Sequence, residues 1–147
     1  MFERFTKEAR EVVERARDEA LDTGSETIEA EHLLLALSRR GLPALRAIGL
    51  DHAACLEALE GEFARSLAVA GVTWDAPIRS RATLTSPRFG ASAKLALERA
   101  LRAAVERGDR RLGARHVLLG VLRAELGTVP RALDGAGIDR AALAASV

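Results

Sequence analysis

A chain of 147 residues carrying a net charge of +1 suits one ordinary domain, which at that size buries roughly 70% of its unfolded surface. Its apolar residues make up 48% of the chain but aromatics only 3%, with no tyrosine, so Ala, Leu and Val must form the core; that composition favours packed helices over sheet. The near-neutral charge argues against a dedicated nucleic-acid binder, the lone Cys55 excludes an intramolecular disulfide, and no apolar run approaches the roughly 20 residues of a membrane span. A protein of the reducing cytoplasm is expected.

The even balance hides a split: residues 1–60 hold 13 acids and 8 bases (net −5), and residues 61–147 hold 8 acids and 14 bases (net +6). Along the chain, Thr6 is placed to cap a first helix whose Ala9, Val12, Val13, Ala16 and Ala20 fall on one face, with Gly24 as its left-handed stop. A second helix is predicted over 30–40, with Leu33, Leu34 and Leu37 inward and Gly41 closing it. A short third follows over 43–48. Asp51 caps a fourth helix that carries Ala54, Leu56, Leu59, Phe63 and Leu67. Residues 71–88 break the pattern with Gly71, Pro77 and Pro87 and read as a connector anchored by Trp74.

After the connector the first half returns. An offset of 84 lays Phe5, Ala9, Glu14, Arg15, Ala16, Ala20, Gly24, Ala30, His32, Leu34 and Leu35 on identical residues from Phe89 to Leu119. A four-residue insertion around 126–130 then shifts the offset to 88, and Ala44, Leu45, Gly49, Asp51, Ala53 and Ala54 meet Ala132, Leu133, Gly137, Asp139, Ala141 and Ala142. The expected fold is all-α: one domain over 1–147, made of two pseudo-two-fold-related four-helix repeats, 1–70 and 89–147, about eight helices in all.

Catalytic chemistry is not expected. His32 and His116 occupy equivalent places, but neither has a metal-ligand partner at a recognised spacing, so both read as structural and no metal or other cofactor is expected. His52 has no counterpart and reads as a surface residue, Cys55 falls on an apolar position matched by Leu143, and no serine sits in a nucleophile elbow. The chain also has no GxxxxGK[ST] phosphate loop, so it reads as lacking an ATP motor.

The segments MFERFT at 1–6, EAEHLLLAL at 29–37, ARHVLLGVL at 114–122 and the paired Gly49–Leu50 and Gly137–Ile138, in this order and doubled, resemble the N-terminal domain of Clp-type ATPases, the ClpC group in particular. The resemblance implies a non-catalytic module that receives peptides, substrates or adaptors in front of an unfolding ring, and that in some members binds phosphorylated arginine. It matches Glu31 to a glutamate that contacts the guanidinium and Thr6 to a threonine near the phosphate, although both residues equally suit plain helix-terminal roles. The repeat-related positions carry Arg115 and Gly90, so a second such pocket is not expected. With Arg107, Arg110 and Arg111 nearby, that end suits an anionic partner or is simply a solvated basic surface. Phe2, Phe5, Phe89 and Lys94 match a hydrophobic groove that takes cyclic peptide antibiotics in the family; Phe5 and Phe89 alternatively just pack the repeats together. A nucleic-acid-binding regulator using the arginine-rich second half is the competing function, without a recognised motif to support it.

Overall fold

The computed structural model describes residues 2–73 and 86–147, and the Phe2 side chain is not part of that description. The expected anchor Trp74 lies outside the described residues. Eight α-helices appear among the described residues: α1 (Lys7–Asp22), α2 (Ala30–Arg40), α3 (Pro43–Ala47), α4 (His52–Val69), α5 (Ala91–Glu106), α6 (Ala114–Leu122), α7 (Thr128–Gly135) and α8 (Arg140–Ala145). Thr6 and Asp51 cap as expected, their side-chain oxygens accepting the Ala9 and Ala54 amides at 3.1 and 2.8 Å. Gly41, at φ +76°, ends α2 in the left-handed conformation that side chains disfavour.

The amphipathic patterns did not foretell two short parallel pairings that cross between the repeats. Thr27–Ile28 (β1) pairs with Arg88–Phe89 (β2), and Phe5 forms a parallel bridge with Leu112. At the offset of 84, Ile28 corresponds to Leu112 and Phe5 to Phe89, so these are one contact made twice. The Thr6 amide donates to the Leu112 carbonyl at 2.9 Å and its counterpart Gly90 donates to Ile28 at 2.8 Å. Each repeat's leading segment is thus tied to the entrance of the other repeat's central helix.

The central helices α2 and α6 are buried nearly all round, which is why their sequences are apolar without a clean stripe. Beyond the expected Leu33, Leu34 and Leu37, α2 also buries Leu35, Ala36 and Ser38. Only Glu31 and the final Arg39 and Arg40 emerge from α2, and only Arg115 emerges from α6. Positions 31 and 115 are repeat-related, so the fold leaves the same outward place open in both copies.

The repeats differ in their outer parts. α4 has 18 residues and its counterpart α8 only 6. Along α4 the apolar face thins out: Cys55 and Leu56 are buried, Leu59 is half-buried, and the expected core residue Phe63 stays 36% exposed. The insertion supplies the 123–127 loop, with Leu126 exposed, and an additional turn in α7 relative to α3. Two buried carboxylates bind the layers together. Glu19 accepts from Arg39 Nε at 2.9 Å and lies 2.9 Å from His52 Nε2, linking α1, α2 and α4. His52 is therefore a half-buried tie between helices, a correction to its reading as a surface residue. Glu62 accepts from Arg131 Nε at 2.7 Å and from Ser66 Oγ at 2.8 Å, joining α4 to α7 across the repeats.

Gly120 marks the tightest helix approach, because a Cβ added there would collide with the Ala96 carbonyl oxygen and the Ala100 backbone of α5. Its counterpart on α2 is Ala36, so the α1–α2 contact has no such requirement. Gly120→Ala should cost about 1–3 kcal/mol as the helices are forced apart, whereas Ala36→Gly should cost about 1–2 kcal/mol through helix propensity and a lost buried methyl. Urea unfolding followed by circular dichroism tests both, and an unchanged or raised midpoint for Gly120→Ala would contradict the close approach.

Candidate functional site

The two histidines sit at the entrances of the central helices, and every ring nitrogen is in use. His32 Nδ1 accepts the Glu29 amide at 2.8 Å, which assigns the neutral ring's proton to Nε2, 3.1 Å from Thr23 Oγ1. His116 Nδ1 accepts the Gly113 amide at 2.8 Å while its Nε2 faces Asp109 Oδ2 at 2.7 Å. Burial pushes the His32 pKa down to about 4 against the opposing charges of Glu29 and Glu19. The bond from His116 is the main reason Asp109 is held below the usual carboxylate range. No group of three or more His, Cys, Asp or Glu that could hold a metal occurs among the described residues. Burial likewise pushes the Cys55 thiol up to about 12, leaving it protonated and inert.

Glu31 and Thr6, expected in one pocket, are not brought together. Thr6 borders a cavity of about 390 Å³ with Arg40, Gly113, Ala114 and Arg115. Glu31 borders a different one, of about 770 Å³, with Ala91 and Ser92 at the start of α5. The crossed pairing is the cause, since it sets the start of each repeat's first helix beside the entrance of the other repeat's central helix. The threonine therefore faces Arg115 and the glutamate faces the Gly90 end.

At that end a residue the sequence reading passed over, Glu29, takes charge. Gly90 has no side chain to cap α5, and Glu29 Oε2 instead accepts the Ser92 amide at 3.2 Å and the Ser92 hydroxyl, while its Oε1 accepts from Thr27 Oγ1 at 2.9 Å. A Cβ at position 90 would fall on this carboxylate. The counterpart of Glu29 is Gly113, so the two junctions have made compensating exchanges: Thr6 with Gly113, and Gly90 with Glu29. Those two exchanges, compared side by side, were the signal available in the repeat alignment.

Glu31 itself is half-buried, and no cation pairs with it among the described residues. Burial pushes its pKa up, opposed by its own backbone amide and aided by the Glu29 charge. It also borders a second cavity of about 250 Å³ between α2, α4 and α7, walled by Leu35, Leu56, Leu59 and Phe63 and lined by Glu60, Glu62 and Arg131. Burial works against ionising Glu62 too, but the bonds from Arg131 and Ser66 and the charges of Arg131 and Arg65 outweigh it and hold its pKa down.

The family model described as "Clp repeat (R) N-terminal domain" matches residues 4–83, more than half of the chain. This chain belongs to the Clp N-domain family. Among curated proteins it is 32% identical over 143 residues to "Negative regulator of genetic competence ClpC/MecB" of Bacillus subtilis (strain 168), and 30% identical to "Chaperone protein ClpB" of Oceanobacillus iheyensis. The match covers 95% of this chain but only 16% of either relative. The solved N-terminal domain of the chaperone ClpD from Arabidopsis thaliana shares the fold, with a TM-score of 0.72, 21% identity, and coverage of 99% of this chain and 95% of that one. In Clp ATPases this domain is a non-catalytic binding module for substrates and adaptors.

In this Clp N domain the expected aromatic groove is only partly assembled. Phe5 is 1% exposed and lies in the core, so it packs the repeats together and does not line a surface groove. Phe89 is half-buried and lines a groove of about 360 Å³ with Val13, Ile28 and Pro87, whereas Lys94 is exposed on α5 and outside that lining. The four arginines of the second repeat do not converge. Arg115 pairs with Asp109 at 2.9 Å, Arg111 donates to the Phe5 carbonyl at 3.1 Å, and Arg107 donates to the Val147 carbonyl at 2.9 Å. Arg110 is exposed and makes no bond with a described residue. No helix among the described residues is long and apolar enough to cross a membrane.

The buried neutral His32 makes stability pH-dependent with a definite sign. Its folded pKa of about 4 lies below the ordinary 6.5, so between those values the unfolded chain binds the extra proton. Its contribution, at most roughly 3 kcal/mol, is whole above pH 6.5 and is lost as pH falls toward 4. Urea midpoints at pH 7 and pH 4.5 should differ more for the native chain than for His32→Asn.

Proposed function

We propose that this chain is a non-catalytic binding module whose Glu31 cavity receives a guanidinium-bearing side chain of a client or adaptor segment for a Clp-type unfoldase. The observation that carries the reading is a half-buried carboxylate without a cationic partner among the described residues, bordered by an apolar-walled cavity. A guanidinium offers planar paired donors to such a carboxylate, and its aliphatic stem suits walls of Leu35, Leu56 and Leu59. Arginine and phosphoarginine share that group, so arginine-phosphorylated proteins, bound by some members of the family, would bring the same guanidinium to Glu31, and the titration below compares the two forms. The repeat-related Arg115 repels a guanidinium, so one site is proposed and not two. The module could equally deliver clients to a ring or sequester them from it.

A second binding surface is supported by the Phe89 groove, whose Val13, Ile28 and Pro87 offer an apolar face to a cyclic or extended peptide. Nucleic acid is disfavoured, because Arg115, Arg123, Arg131 and Arg140 of the basic half are engaged by carboxylates of this chain.

Calorimetric titration of arginine- and phosphoarginine-containing peptides against the native chain and Glu31→Ala tests the main reading. One site and a loss of about tenfold or more on removing the carboxylate are expected. Affinity should also weaken on acidification, since burial has raised the pKa of Glu31 and protonation removes the charge that binds. Equal affinity for the two chains would exclude Glu31 as the receptor.

A further inference from the structure

Resting on the assignment of Glu31 as a guanidinium receptor, we infer that this site selects the unmodified arginine side chain and refuses the phosphorylated one. The discriminating group is Glu29, which already holds a carboxylate at the start of α5. A phosphoryl group next to a guanidinium brings close to two negative charges and needs N–H or hydroxyl donors. Beside Glu31 the first turn of α5 supplies such donors, where the end of a helix favours an anion, and Thr128 of α7 adds a hydroxyl to both cavities. On α5 those of Ser92 are taken: Glu29 Oε2 accepts both its amide and its hydroxyl, and Oε1 stands where a side chain at Gly90 would project. The site therefore contains its own anion.

The remaining charges around Glu31 point the same way. In the smaller cavity the one arginine, Arg131, is held by Glu62 at 2.7 Å, so that guanidinium is already engaged. In the larger cavity Arg123 is held by Glu106 at 2.7 Å. Arg99 also lines it, but lies eight residues beyond Ala91, about 12 Å along the α5 axis from the helix start. A phosphoryl group at the α5 terminus would have to displace Glu29 or sit against Glu29 and Glu31 together. A plain guanidinium meets two carboxylates of the favourable sign. Specificity thus arises from an element that repels the competitor, not from an additional attraction to the ligand.

Fluorescence anisotropy with two labelled peptides of one sequence, carrying arginine or phosphoarginine at the same position, tests this on the full chain. The native chain should bind the arginine peptide at least about tenfold more tightly. Glu29→Gly copies the counterpart Gly113, opens the α5 terminus and should erase or reverse that preference. Glu29→Gln keeps an amide oxygen as acceptor for Ser92 while removing the charge, and should narrow the preference even if the glycine variant folds poorly. Thermal melts report the folding of both. Tighter or equal binding of the phosphoarginine peptide by the native chain, or a ratio unchanged in a folded Glu29 variant, would overturn the inference while leaving Glu31 as receptor. Failure of both peptides to bind, or binding indifferent to Glu31→Ala, would overturn the receptor assignment and this inference with it.

Discussion

The constraint on which the rest depends is the crossed backbone pairing of Phe5 with Leu112 and of Phe89 with Ile28. It is small in extent, a few hydrogen bonds on each side, but it sets which helix start lies beside which central helix. Because the amides of Thr6 and Gly90 are satisfied by carbonyls of the opposite repeat, each copy depends on the other to complete its entrance turn. The buried Phe5 beside this crossing and the central pair α2 and α6 belong to one hydrophobic core shared by the two repeats.

Once the helix starts are exchanged, the differences between the copies become coherent. A threonine cap at α1 meets a glycine at the α6 entrance, and an uncapped glycine at α5 meets a glutamate at the α2 entrance. Each junction has one polar group and one vacancy, placed in opposite repeats. Both thereby keep a capped helix, a contribution of order 1 kcal/mol each. What changes is charge: one junction presents Arg115 with a neutral cap, and the other presents Glu31 beside a second carboxylate. The net −5 and +6 of the two sequence halves are thus partly redistributed in space, since Glu29 works at the start of a second-repeat helix.

The groups that often signal chemistry are occupied by structural duties. Both central histidines spend two nitrogens on holding loops to helices, Cys55 is buried and protonated, and Glu19 and Glu62 are bound by arginines that join separate helices. Burying such carboxylates is tolerable only because their partners are present, and removing one partner would strand a charge in the interior. Glu31 differs from them. It is desolvated like a structural carboxylate yet has no cationic partner among the described residues, which is what supports its proposed role as a receptor.

Helix positions, caps and the doubling of the chain were legible from residues alone, because they follow from local rules: Thr6 and Asp51 as caps, Gly41 as a stop, and Ala9, Val12, Ala16 and Ala20 as one face. The family was legible for the same reason, through short motifs repeated in order. Three things were not legible. Local patterns do not reveal which repeat a helix start will face, so Thr6 and Glu31 appeared to share a pocket when they line separate ones. Periodicity does not separate a buried aromatic from a groove wall, so Phe5 and Phe89 looked alike while one lies in the core and the other at the surface. The role of Glu29 depends on a glycine 61 positions away, and that of His52 on Glu19 in another helix. Sequence by itself determined the elements, since backbone propensity and capping act over a few residues. The tertiary structure alone decided the candidate site, because its charges converge only after the two repeats have crossed.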